Sequence, residues 1–389
     1  EVRIKSTGLR GVTVADSGIS FIDGEQGILI YRGYRIEGLA DRSTYLETAY
    51  LLLHGALPTA AQLSEFMSRV RAARQVPEFV LASLRLWPRE ASPMDVLQAC
   101  VPLLAMADDN IAASDRTSCL SRAISLVARM PTLVAAWHRI RNDQPVVPPD
   151  DALDHAANFL WMLQGQRPDA AMAHYLDVCL ILHADHTFNA STFAARQVVS
   201  TRASLYAGVA AGIGALSGGL HGGANARVMQ MLLELEHEED IEGWVRSRLD
   251  QGQVIMGFGH AVYKTGDPRA VYLKRMGQRL AVQHGGRWQE ISERIEEAAQ
   301  ANFAAQGKRG ICANVDFNSA PVYYLMGIPL DLMTPLFAVA RVAGWCAHIM
   351  EEQFADVQGK PALYRPQAEY VGEYCGPMGC VYNPPDRRS

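Results

Sequence analysis

From Thr44 onward the apolar residues recur at three- and four-residue spacing, a period that lays one buried stripe along a helix and that a strand, with its period of two, cannot use. Start and stop signals divide this run. Thr44 opens a helix that Gly55 and Pro58 close, Thr59 caps a second over 60–74, and Ser92-Pro93 opens a third, kinked at Pro102. Further helical runs follow Asp115, Pro131, Asp150 and Asp169, parted by turns such as the proline-rich 144–149. The stretch 288–306 has an apolar stripe and a solvated Glu-rich face, and 334–353 is helical and almost uncharged. Strand signals occur only early: 19–22 and 28–31 are short apolar runs joined by Asp23-Gly24-Glu25-Gln26-Gly27, which reads as a hairpin. The expectation is an all-α fold with a small N-terminal β-hairpin.

Length, charge and cysteine usage narrow the partners. A chain of 389 residues with 49% hydrophobic content is long enough for two domains. The formal net charge of -5 and the scattered arginines leave no basic footprint for nucleic acid. No apolar secretory run is visible at the amino terminus, and 203–220, the longest uncharged run, is too glycine-rich to span a bilayer, so no membrane partner is expected. Seven cysteines, an odd number in a large chain, predict reduced thiols and a cytoplasmic location. Cys375 and Cys380 have a spacing that allows a disulfide or half a metal site, but a lone pair in a Pro/Gly-rich tail is more often neither.

Candidate chemistry gathers on histidines set among glycines. In Gly257-Phe258-Gly259-His260, the glycines argue against a helix and leave room for a ligand beside His260, so the stretch to Arg269 reads as a binding loop. Asp267-Pro268 then opens a helix through Leu273, Met276 and Leu280 that ends near Gly285-Gly286. Arg269 falls in its first turn, where a cation opposes the helix dipole and implies an anion above it. His221 sits between Gly218-Gly219 and Gly222-Gly223, a density that favours close approach of a ligand or of another backbone. His183-Ala184-Asp185-His186 invites a metal reading, yet it lacks further ligand spacing; no metal is expected, with His183 in the core and His186 freer. The Ala/Gly-rich 204–217 suits a buried helix pair or a subunit interface.

Asp316, between Val315 and Phe317, is placed for desolvation and a raised pKa, as a general base needs, and it can also cap a helix from about Asn318. Arg341 is the sole charge in 334–350 and has no acid within helical reach, so a distant carboxylate, from protein or ligand, is required. Arg365 is held extended by Pro366. Histidines that polarise a carbonyl or enolate, arginines that grip a dicarboxylate and one desolvated acid together suit proton abstraction beside a carbonyl, followed by carbon–carbon bond formation. No Walker loop, Rossmann fingerprint or serine elbow competes.

These motifs, with Gly8-Leu9-Arg10-Gly11-Val12, Phe21-Ile22-Asp23-Gly24, Tyr31-Arg32-Gly33-Tyr34 and Tyr370-Val371-Gly372, resemble the citrate synthase family of the short bacterial and archaeal type over nearly the whole chain. The resemblance implies an acyltransferase of the tricarboxylic acid cycle that joins acetyl-CoA, oxaloacetate and water into citrate and CoA without a further cofactor. It implies Asp316 as the base, His221 at the enol oxygen and His260 at the oxaloacetate carbonyl. His186, Arg269 and Arg341 match dicarboxylate ligands, Arg365 matches an arginine that reaches the site from the other subunit of a homodimer, and Lys264, Lys308 and Arg309 match positions near the CoA phosphates. A large domain over 1–222 and 328–389 and a closing small domain over 223–327 are implied as well.

Departures from the family pattern are Thr187, Ala261, Asn318, Ala320 and Gln367, none of which removes a catalytic group. Ala261 and Gln367 remove cations near the CoA side and the subunit boundary. The tail 373–389 is expected to pack on a neighbour or to be mobile. Rival readings are a 2-methylcitrate synthase using propionyl-CoA, since one methylene discriminates by only ~1 to 3 kcal/mol, a non-catalytic assembly or regulatory member, and a metal-dependent hydrolase.

Overall fold

The computed structural model describes residues 7–9, 11–259, 262–308, 310–373 and 376–387. Among them are sixteen α-helices and one three-stranded antiparallel sheet. Strand Ser20–Asp23 pairs with Ile28–Tyr31, with Ser20 opposite Tyr31, and the short Tyr34–Arg35, not foreseen from the sequence, adds a third strand. At the hairpin tip, Asp23 Oδ1 accepts from the amides of Glu25 and Gln26, both at 2.9 Å.

Helix ends follow their caps. Thr44 accepts from the Glu47 amide to start Tyr45–His54, which Gly55 closes at φ 87°; Thr59 and Gln62 form a capping box before Ala60–Ala72. Four boundaries depart from expectation. Asp267-Pro268 opens a turn and the helix begins only at Ala270, with Arg269 at its cap position and not in its first turn. Arg116–Arg141 is one helix that runs through Pro131, because nearly all of 122–137 is buried and that packing outweighs the roughly 3 kcal/mol a proline costs. Asp150 opens a turn, and the helix begins at His155. Helix Val315–Leu325 is capped by Asn314, whose side chain accepts from the amides of Asp316 and Phe317, so Asp316 lies in the first turn and is not the cap. Five short helices were not legible: Ile36–Arg42, Glu78–Leu84, Ala190–Val199, Ala224–Glu234 and Ile241–Asp250.

The core centres on helix Met333–Phe354, buried at every position from Met333 to Glu352. Leu205–Leu216 and Ala190–Val199 pack on it and on each other. A Cβ on Gly208 would stand 2.8 Å from Ile349 Cδ1 and one on Gly212 3.0 Å from Trp345 Cε2, so the Ala/Gly run serves a buried helix pair. Arg116–Arg141 and 330–354 are the two helices among the described residues long and apolar enough to cross a membrane; their apolar windows are 78% and 100% buried within the protein. Helices Ala224–Glu234, Ile241–Asp250, Ala270–His284, Trp288–Ala305 and Val315–Leu325 pack mainly on one another. Beyond Phe354 the described residues have little regular structure, with Tyr370, Val371, Met378, Val381 and Tyr382 exposed. Cys380 is disulfide-bonded, which corrects the expectation that the tail cysteines are neither bridged nor metal-bound; Cys375 lies outside the described residues.

Candidate active site

A cleft of about 600 Å³ brings together His186, His221, Arg269, Asn314, Asp316 and Arg341, residues scattered along the chain between positions 186 and 341 and drawn from both groups of helices.

His221 follows helix Leu205–Leu216 in a tight turn closed by His221 N to Gly218 O and Gly222 N to Leu216 O, both at 2.9 Å. A Cβ on Gly222 would meet Leu216 O at 2.5 Å, so this glycine answers to another backbone, while Gly223 faces open space. The Ser191 amide donates to His221 Nε2 at 3.2 Å, and Ser191 Oγ lies 2.9 Å from the same nitrogen. Nε2 is therefore an acceptor, and the neutral ring carries its proton on Nδ1. Burial, aided by the positive charge of Arg341, lowers the His221 pKa to about 4. Ser191 is itself held by Trp345 Nε1, which donates to its hydroxyl oxygen at 3.1 Å, and that oxygen also lies 2.7 Å from Asn189 Oδ1. Neither Ser191 nor Trp345 carried a recognisable signal in the sequence, since each supports the site from an ordinary helical position.

Asp316 is buried, and its Oδ1 has no hydrogen-bond partner among the described residues. Burial pushes its pKa up to about 7, against the lowering effect of Arg269. The segment before it is tied to the glycine loop: Asn314 N donates to Gly257 O at 2.9 Å, Gly259 N to Cys312 O at 3.0 Å, and Phe258 bridges to Ala313. Gly257 has φ 83°, and a Cβ there would stand 2.7 Å from Phe317 Cβ; the space is taken by the Asp316 helix, not by a ligand. Gly259, at φ 87°, does face open space. His260 and Ala261 lie outside the described residues, as does Arg309.

Arg269 immediately precedes helix Ala270–His284, and the anion its position implies is Asp267, which takes Nε at 2.8 Å and Nη2 at 2.6 Å. Burial alone would lower the Arg269 pKa, but pairing with Asp267 raises it, so the group stays charged. Arg341 is 1% exposed and donates from Nε to His183 O at 2.7 Å, with its guanidinium 4.8 Å from the Phe337 ring centroid. It has no ion pair among the described residues, and burial lowers its pKa to about 10, leaving a charged guanidinium on the cleft wall. His186 is 7% exposed, with Nε2 3.2 Å from the Tyr263 hydroxyl, a neighbour the sequence did not single out. His183 is fully buried, with Nδ1 2.8 Å from Cys179 O, in keeping with a core role.

The remaining candidates stay outside this cleft. Arg365 is exposed beyond the last long helix. Lys264 is exposed and ion-paired with Glu25 on the hairpin tip, and its amide donates to Gly24 O at 2.9 Å. Lys308 is exposed, donating to Gln306 Oε1 at 2.9 Å.

The family profile "Citrate synthase, C-terminal domain" matches residues 8–367. Citrate synthase of Haloferax volcanii is 45% identical over 372 residues, 94% of this chain and 95% of that one. A 2-methylcitrate synthase of Mycobacterium tuberculosis is 40% identical over 368 residues, 94% of this chain and 90% of that one. Among solved structures, the ternary complex of Thermoplasma acidophilum citrate synthase with carboxymethyl coenzyme A and oxaloacetate superposes with a TM-score of 0.90 at 32% identity, covering 100% of both chains. Pyrobaculum aerophilum citrate synthase gives 0.88 at 38% identity, covering 98% of this chain and 95% of that one. The chain belongs to the citrate synthase family, and as such is an acyltransferase.

Proposed function

We propose that this enzyme condenses acetyl-CoA with oxaloacetate and water to give citrate and CoA. The observation that carries the reading is a buried carboxylate with a pKa near neutrality in one cleft with a neutral imidazole and two charged arginines. Arg341, Arg269 and His186 hold the oxaloacetate carboxylates by charge-assisted hydrogen bonds. Asp316 takes a proton from the acetyl methyl group, and His221 Nδ1–H donates to the thioester oxygen as it gains enolate character. The methylene carbon attacks the oxaloacetate carbonyl carbon, whose oxygen, polarised by His260, takes a proton from that imidazole as the carbon–carbon bond forms and becomes the citrate hydroxyl. Water then cleaves the citryl-CoA thioester, releasing citrate and CoA. Acetyl-CoA is a substrate, and the scheme uses no other cofactor or metal.

Lys264, Lys308 and Arg309 are assigned to the CoA phosphates, for which Lys264 would exchange Glu25 for a more strongly charged partner. The helices between 223 and 327 form the domain that closes over substrate and excludes water. A cytoplasmic homodimer is part of the reading: Arg365 is exposed in its own chain, available to a second copy.

The relatives named as 2-methylcitrate synthases keep propionyl-CoA open as the acyl donor. Release of free CoA thiol in the presence of oxaloacetate, with acetyl-CoA compared against propionyl-CoA, tests the assignment. A clear acetyl preference supports it, a propionyl preference moves the enzyme to the methylcitrate reaction, and no turnover of either leaves a non-catalytic member.

A further inference from the structure

One face of helix Met333–Phe354 grips the corner that carries His186 at three successive turns. Arg341 Nε donates to His183 O at 2.7 Å. At Gly344 the corner lies against the bare backbone, since a Cβ there would meet Ala184 O at 2.3 Å and Asp185 Oδ1 at 2.5 Å. One turn on, His348 Nε2 lies 3.3 Å from Asp185 Oδ1 and 3.4 Å from Oδ2, with both residues fully buried. Arg196 Nη1 stands 3.2 Å from His348 Nδ1 and, being only a donor, makes that nitrogen the acceptor, so the ring proton sits on Nε2 and points at Asp185. Arg196 is fixed in turn by Glu351 at 2.8 Å and Glu352 at 2.7 Å.

The corner needs such a grip. Thr187, which follows His186, has φ 49°, a conformation that costs a β-branched residue free energy and persists only where its surroundings over-determine it. Asp185 Oδ2 accepts from the Thr187 amide at 3.2 Å and from the Ser20 hydroxyl, whose oxygen accepts from the same amide at 3.1 Å. Asp185 thus touches the helix on one side and the strained residue on the other.

We propose that His348 and Asp185, together with Ser20, are positioning residues for His186: the buried His348–Asp185 pair holds the strained corner so that the His186 ring meets the dicarboxylate substrate. This rests on the assignment of oxaloacetate to the cleft. The geometry makes the effect larger for the dicarboxylate, because the corner carries His186 itself and reaches His221 only through Asn189 and Ser191.

The test is oxaloacetate binding by calorimetry alongside steady-state kinetics for His348→Leu, His348→Gln and Ser20→Ala. Leucine removes the donor to Asp185, whereas glutamine places an amide N–H near the position of Nε2. The expected result is a Kd and KM for oxaloacetate weakened at least about tenfold in His348→Leu, with a smaller loss in Ser20→Ala, recovery in His348→Gln, and a KM for acyl-CoA that changes much less than that for oxaloacetate in each. A folded His348→Leu with wild-type oxaloacetate affinity, or equal losses for both substrates, overturns the proposal. If His348→Leu does not fold, Ser20→Ala and His348→Gln decide: full oxaloacetate affinity in Ser20→Ala, or an equal loss for both substrates in His348→Gln, overturns it. Wild-type protein that binds no oxaloacetate overturns the functional reading itself, and with it this inference.

Discussion

The Ser191 amide donates to His221 Nε2 at 3.2 Å, and that bond decides which nitrogen of the histidine is left for chemistry. A backbone N–H has no acceptor role, so the imidazole is neutral with its proton on Nδ1. Its burial and the nearby Arg341 charge lower the pKa to about 4. The ring should therefore show no titration between pH 5.5 and 8 when followed by NMR of histidine-labelled enzyme. A midpoint near the ordinary value of about 6.5 for His221 would overturn the assignment.

Asp316 must be ionised to act as a base, and burial sets its pKa at about 7. The acyl-CoA kcat/KM of the free enzyme should fall about tenfold per pH unit below that value and level off above it. Asp316→Asn should lower kcat by about 10² to 10⁴ at pH 8. A flat profile between pH 5.5 and 8, or an active Asn variant, argues for another base.

The same carboxyl affects stability in the opposite sense. Its folded pKa of about 7 lies above the ordinary 3.8, so the native state binds the proton more tightly than the unfolded chain does. Both states are neutral below the unfolded value, and the cost of the native charge grows from there up to the folded pKa. Asp316→Asn should accordingly raise thermal stability at pH 8, by up to about 4 kcal/mol, with the gain disappearing near pH 4. Differential scanning at the two pH values measures this, and an equal shift at both would show that the effect is not titration.

Arg341 faces the cleft without an ion pair among the described residues, so a bound carboxylate is its natural partner. Arg341→Gln should raise the KM for oxaloacetate by about tenfold to a hundredfold, the worth of a charge-assisted hydrogen bond of roughly 1.5–3 kcal/mol. Arg341→Lys should not restore it, because a point charge lacks the planar fork. An unchanged KM in either variant removes Arg341 from the substrate site.

Gly257 combines φ 83° with a neighbour that a Cβ would approach to 2.7 Å. Gly257→Ala should destabilise the protein by about 1–3 kcal/mol through backbone strain and overpacking. Its kcat should fall too, because Phe317 must shift and Asp316 precedes it. A melting temperature equal to wild type would show that the loop accommodates the methyl group.

Much of the scaffold was legible before any coordinates. The caps at Thr44, Thr59, Asp115 and Asp169 and the closing Gly55 are local devices, each satisfied within about one turn of its own residue, so the chain alone specifies them. Pro131 misled because its local cost was outweighed by burial that no window around it displays. Asp316 was legible as a desolvated acid from its two apolar neighbours, and Arg341 as a buried cation from an otherwise uncharged helix.

Partners were what the sequence withheld. It required an anion for Arg269 and left its identity open; the fold supplied Asp267, two residues away. It set His186 apart from His183, yet the pairing of Asp185 with His348 crosses 163 residues and depends on Gly344 leaving room for the corner. Residue types, helix ends and the glycine loops follow from local chemistry, which the sequence determines alone. Which nitrogen of His221 carries the proton, how far Asp316 is desolvated and what holds His186 depend on groups brought together only by packing, so the tertiary structure decided them.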